Sequence, residues 1–159
     1  MSFPDTALSL TDAASRGDRI AAWDAAVRLL PWLSDLRNQI DARSFHSLLW
    51  TGAINNRWFD IAELLAAAVA ARADAPVPIR RIHAQMLVER GYTEEALTRL
   101  HALLKHADLS DYDKRETFGH IGRINKDRFM TAIRAGDEAT ARNSLRQAID
   151  AYLDSVREI

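Results

Sequence analysis

At four points in this chain a small residue follows a helix break by five places. Gly17 leads on to Ala22, Arg57 to Ala62, Gly91 to Ala96 and Gly136 to Ala141. The alanines lie 40, 34 and 45 residues apart, a spacing in the range of helical repeat arrays. The second helix of a tight hairpin crosses the first closely, and a larger side chain at the crossing would force the axes apart. The pattern therefore predicts an all-α chain of about four antiparallel helix hairpins, stacked as a right-handed α-solenoid in one domain over residues 1–159.

Helical periodicity and punctuation fill in the elements. The spacing predicts helices over about 5–15, 18–30, 39–54 and 59–72, with Asp18 as an N-cap and Pro31 just beyond the second helix. Residues 73–76 read as a linker, and Pro76 and Pro78 open a fifth helix that runs to Arg90. Thr93, followed by Glu94 and Glu95, reads as the N-cap of a sixth helix reaching Lys105–His106. A seventh is expected over 113–134, and an eighth, capped by Asp137, almost to Ile159.

Composition excludes several classes. Only six glycines and four prolines interrupt an alanine-rich chain without β-branched runs, which favours helix. The net charge of -1 gives no nucleic-acid footprint. There are no cysteines, so disulfides and thiolate metal sites are excluded. The start shows no positive segment followed by an apolar one. The longest apolar run, residues 64–71, is far shorter than the roughly 20 residues that span a bilayer. The expected setting is the cytoplasm, with no membrane and no nucleic-acid partner.

The segment from Ala84 through Leu87, Gly91, Tyr92, Thr93, Glu94, Glu95 and Ala96 to Leu100 resembles the tetratricopeptide-repeat family. It has that family's small residue in the first helix, large residue three later, glycine turn and small residue in the second helix. Gly136, Asp137, Glu138, Ala141, Leu145 and Ala148 match the second helix again, although Phe129 stands where the first helix usually has a small residue. A second likeness lies in Gly122-Arg123-Ile124-Asn125-Lys126-Asp127. It is similar to a helix in the repeat regions of apoptosis-signal-regulating kinases and of bacterial proteins that join repeats to protease or nucleotidase modules.

No catalytic signature is present: the glycine-rich nucleotide loops, the His-Glu-x-x-His helix and the Gly-x-Ser-x-Gly elbow are all missing. His101 and His106, five apart, do not share a helix face, and Asp108, Asp111 and Asp113 lack the glycine and bidentate glutamate of a calcium loop. His46 and His83 read as packing or groove residues. Glu116 and His120 have the spacing of a surface pair. The four tryptophans, Trp23, Trp32, Trp50 and Trp58, all fall in the first two hairpins and read as packing, with Trp32 the best candidate for exposure.

The resemblance implies no enzyme and no cofactor, but a scaffold whose first helices line a concave, peptide-binding wall. Carried onto this chain, the wall comprises Arg81, Gln85 and Glu89 in the third hairpin and Arg123, Lys126, Met130 and Arg134 in the fourth. Ser47, Thr51 and Asn55 take those places in the second hairpin. From Lys114 to Arg134 six basic residues face only Glu116 and Asp127, which suits an acidic peptide or protein partner with an apolar anchor. Ile149, Tyr152, Leu153 and Val156 form an apolar stripe available to fold back, to make a homodimer contact or to cover a companion chain. The alternative is a helical-bundle enzyme or ligand-binding protein in which Glu116, His120, Arg123 and Lys126 hold a phosphorylated small molecule.

Overall fold

In the computed structural model, which describes residues 3–157, the periodicity resolves into eight α-helices: α1 (Asp5–Ser15), α2 (Arg19–Ser34), α3 (Ala42–Gly52), α4 (Phe59–Ala70), α5 (Val77–Glu89), α6 (Thr93–Leu103), α7 (Asp111–Ala135) and α8 (Glu138–Arg157). A short 3-10 turn, Ile54–Asn56, follows α3, and no strand occurs among the described residues.

The joints inside the hairpins share one backbone device. Gly17, Arg57, Gly91 and Gly136 all adopt left-handed φ, at 69°, 58°, 83° and 72°. At three of them the next residue's N–H reaches back to a carbonyl five earlier: Asp18 to Ala13 (2.9 Å), Trp58 to Ala53 (3.1 Å) and Asp137 to Ala132 (3.0 Å). These bonds satisfy carbonyls that a helix C-terminus otherwise leaves without donors. Asp18 and Asp137 then cap the following helices, each accepting from a backbone N–H at 3.0 Å. The Thr140 side chain, helped by its backbone N–H, holds the Asp137 carboxyl below its ordinary value. Ala22, Ala62, Ala96 and Ala141 are all buried, as close nesting requires.

The chain divides into two compact units, one ending at Arg90 and the other beginning at Gly91. In the first, α1 packs on α2 and α3, α2 on α4, and α4 on α5. Its core is built from Leu10, Leu29, Leu33, Phe45, Leu49, Ile61, Leu65 and Ile79, all without exposure. Close approach is enforced at Gly52, where a Cβ would lie 2.9 Å from Cγ and Cδ2 of Leu10. Arg72, 5% exposed, ties the far end together. Its guanidinium donates to the carbonyls of Leu33 (3.0 Å), Asp35 (3.2 Å) and Asn38 (2.8 Å), and to both oxygens of Asp74 (2.8 and 2.7 Å).

In the second unit α7 and α8 pack along much of their length, and α6 packs on α7. The Tyr152 ring lies directly on Gly122, where a Cβ would come within 2.8 Å of it. The four tryptophans belong to the first unit, and the three tyrosines, Tyr92, Tyr112 and Tyr152, to the second.

Several expectations change. Pro31 lies inside α2, not after it, because Leu33 is buried and its carbonyl held by Arg72, which carries the helix past the proline. Trp32 is correspondingly not exposed: it packs on Phe3, ring centroids 5.4 Å apart, while Trp23 and Trp50 are the outward-facing tryptophans. Thr93 is the first residue of α6, with Tyr92 at the cap and no side-chain cap bond. Ser110 starts α7 earlier than expected, accepting from the Asp113 N–H at 3.1 Å. The end of the eighth helix expected near Ile159 falls outside the described residues.

Candidate functional site

The first unit offers one groove on the expected wall. It measures about 620 Å³ and lies between α1 and α3, where Leu8 and Thr11 face Arg43, Ser47 and Thr51. Two of the three wall positions expected in the second hairpin, Ser47 and Thr51, therefore line a real concavity, and Asn55 is exposed beyond α3.

The third hairpin departs from expectation. Arg81 was expected to face solvent, but it is 7% exposed. The reason lies in α5 itself, which also buries Ile79, Ile82, His83, Ala84, Met86, Leu87 and Val88. Such a spread covers more than one helix face, so Arg81 does not stand on an open side of α5. Gln85 and Glu89 are half-buried. His83, also buried, meets Glu63 of α4 at 3.2 Å, and the other oxygen of Glu63 accepts from Arg90 at 2.7 Å. This is a structural bridge between α4 and α5, in keeping with the packing role expected of His83. His46 is exposed and stacks on Trp50.

In the second unit the four residues expected on the wall lie along α7. Arg123, Lys126, Met130 and Arg134 are all exposed. Their steps of three and four residues keep them on one side of the helix. Ile121, Ile124, Asn125 and Ala132 bury the other side. Ile133, 52% exposed, adds apolar surface beside Met130. Glu116 and His120 are half-buried in the same helix. Among the described residues no group of histidine and carboxylate side chains could hold a metal ion.

Of the apolar stripe of α8, Tyr152 folds back onto Gly122 of α7, whereas Ile149, Leu153 and Val156 do not. The helix turns Ala141, Ser144, Ala148 and Ala151 inward, and leaves Leu145, Ile149, Leu153 and Val156 exposed. Small residues face α7 because the axes are close, and the larger ones are displaced sideways by the same geometry.

A feature that sequence reasoning missed lies on the other flank of this unit. A cleft of about 470 Å³ opens where one stripe from each of three helices converges. Helix α6 supplies Glu94, Leu97, Thr98 and His101, α7 supplies Phe118, Ile121, Asn125 and Arg128, and α8 supplies Gln147, Asp150, Ala151 and Asp154. Arg128 pairs with Glu94 across its mouth. A second cleft of about 750 Å³ continues from Glu94, Arg128 and Gln147 towards Asp127, Asp137 and Asn143. The steps of three, four and seven residues in each stripe were present in the sequence, but its polar members look like ordinary surface until the helices are brought together.

Fold and surfaces together define a helical-hairpin repeat protein, all-α among the described residues, with clefts between helices. The profile of the family described as Tetratricopeptide Repeats-Sensor matches residues 57–158, which is more than half of the sequence, and the chain belongs to that family. The match takes in the second joint, the motif around Gly91 and both long helices. No curated protein and no solved structure gave a match.

Proposed function

We propose that this chain is a non-catalytic interaction scaffold that binds an acidic peptide or protein segment along the exposed face of α7. Tetratricopeptide-repeat proteins in general mediate protein–protein contacts, and membership of the family supports that broad reading. The observation that carries the finer one is the coincidence of Arg123, Lys126 and Arg134 with exposed Met130 and Ile133 on one helix side. Basic groups steer an acidic segment and form charge-assisted bonds with it, while a flexible methionine accommodates an apolar anchor. Arg81, being buried, has no part in this reading, and Gln85 is half-buried on α5. The word sensor in the family's description fits a module whose occupancy is read by an attached or neighbouring partner. A cytoplasmic, bacterial setting is part of the same reading, and no described helix is long and apolar enough to cross a membrane.

The test uses fluorescein-labelled peptides of equal length, acidic or neutral, with and without one central leucine. Polarisation should show saturable binding of the acidic, leucine-containing peptide, weakening as salt rises. Lys126→Glu combined with Arg134→Glu should abolish that binding and leave the urea midpoint unchanged. Equal binding of neutral peptides, or capture indifferent to the double reversal, sinks the proposal.

A further inference from the structure

A helix on the surface of a folded domain normally turns its large apolar side chains inward and polar ones outward. Helix α8 departs from that rule. Its inward stripe is small, made of Ala141, Ser144, Ala148 and Ala151, and its larger apolar residues stand outside. Leu145, Ile149, Leu153 and Val156 are 41%, 49%, 47% and 62% exposed. At about 100° per residue all four fall within about 80° of the helix circumference, and they run for about 17 Å along it. Single exposed leucines are ordinary, but a continuous stripe of this kind marks a contact surface.

The charges on the flank of the stripe indicate what covers it. Arg142, Arg146, Asp150 and Asp154 follow one another at steps of four, all displaced to the same side of Ile149. The flank is thus basic in its first half and acidic in its second. Arg142, Arg146 and Asp150 are exposed and make no ion pair among the described residues, although Arg146 and Asp150 stand one turn apart. Asp154 shares only the exposed Arg157, at 3.2 Å. Such a flank repels a second copy laid parallel and complements one laid antiparallel. With the two-fold axis beside Ile149, Leu145 and Ile149 interdigitate with Ile149 and Leu153 of the second copy. Arg142 and Arg146 then run beside its Asp154 and Asp150.

We infer that the exposed stripe of α8 is a self-association surface on which a second copy of this chain docks, α8 against α8 and antiparallel. Apolar contact supplies the affinity, and the charges set the orientation. About 80–100 Å² uncovered on each of the four side chains, with the edge of Tyr152 and the arginine stems, gives an interface of roughly 1,000 Å² in total, the lower limit for a specific one. The expected Kd is therefore in the micromolar range. The stripe lies on α8 and the acidic-peptide face on α7, and self-association is read without peptide, so each reading can fail alone.

Sedimentation velocity on the whole chain from about 1 to about 200 µM tests the assignment, since a micromolar dimer assembles within that interval. The mass should rise from one chain towards two. Ile149→Glu or Leu153→Glu, both at exposed positions and with folding checked by circular dichroism, should weaken association more than tenfold. The chain carrying Arg142→Asp with Arg146→Asp, and the chain carrying Asp150→Arg with Asp154→Arg, should each stay monomeric alone and associate when mixed. A wild-type chain that is monomeric at the highest concentration overturns the inference; if it cosediments with anionic lipid vesicles, the stripe belongs to a membrane surface instead. A dimer that survives both glutamate substitutions, or reversed chains that fail to associate on mixing, overturns it equally.

Discussion

Replacing Arg72 by methionine keeps most of the side-chain volume and removes every donor that the guanidinium supplies at the end of the first unit. Three carbonyls, those of Leu33, Asp35 and Asn38, lose a charged partner at 2.8–3.2 Å. Bonds to a charged group contribute about 1.5–3 kcal/mol each, so the three together amount to roughly 5–9 kcal/mol before relaxation. Two effects reduce that figure. Asp35 and Asn38 stand in the connection between α2 and α3, where water can replace the guanidinium once it is gone. Asp74 is 53% exposed at its side chain, and its pair with Arg72 is worth at most about 1 kcal/mol. The Leu33 carbonyl is the buried one and cannot be rescued so easily. The expected net loss is about 3–5 kcal/mol, the usual cost of breaking a buried charged network, and a large part of the 5–15 kcal/mol typical of a folded domain. Arg72→Lys should recover only a part, about 1–2 kcal/mol, because one ammonium cannot span three carbonyls and a carboxylate. Urea unfolding followed by far-ultraviolet circular dichroism measures all three chains. A loss below about 1 kcal/mol for Arg72→Met would refute the clamp.

Two glycine substitutions should move stability in opposite directions. Gly52→Ala gains up to about 1 kcal/mol in helix propensity but drives a methyl group into Leu10, costing about 1–3 kcal/mol, so a net loss of roughly 1 kcal/mol is expected. Gly119→Ala meets nothing within 4 Å and should stabilise by up to about 1 kcal/mol; urea midpoints that shift in the same direction contradict the packing described. Acid should act through carboxylates held down by their partners. The Arg37 side chain, helped by its backbone N–H, lowers Asp35 from 3.8 to about 2, and the Arg72 guanidinium lowers Asp74. A depressed pKa contributes stability that is fully present above the unfolded value and is lost as pH falls through the folded one. The urea midpoint should therefore hold from neutrality to about pH 4, then fall towards pH 2, less steeply in Asp35→Asn. A midpoint that rises over that interval has the wrong sign for the assignment.

Most of the helical frame was legible because its signals are local. Gly17 and Gly136 stop helices by adopting a conformation other residues avoid, and Asp18 and Asp137 start the next ones by accepting backbone N–H bonds. Arg57 was readable as a glycine substitute only from its place in the repeat, and it does take left-handed φ. What escaped depends on contacts distant in sequence. Arg72 finds carbonyls 34 to 39 residues earlier, and the same contacts carry α2 through Pro31. Arg81 was misplaced because spacing within one hairpin says which residues share a face but not what covers it. The basic side of α7 needed only one helix and was visible. The three-helix cleft needed the register of α6, α7 and α8 against one another, so Asn125 and Asp150 passed as unremarkable polar positions.

The separation of aromatic residues described above gives the molecule two optical signatures. Indole emission, excited selectively, comes entirely from the portion ending at Arg90, whereas phenol absorbance comes entirely from the portion beginning at Gly91. Tyr152, which shares α8 with Asp150 and sits on Gly122 of α7, registers rearrangement around the cleft in a spectral band to which no tyrosine of the other portion contributes. Melting of each part can thus be followed in the unlabelled wild-type chain, with the indoles reporting the Arg72 clamp and the phenols the α7–α8 pair.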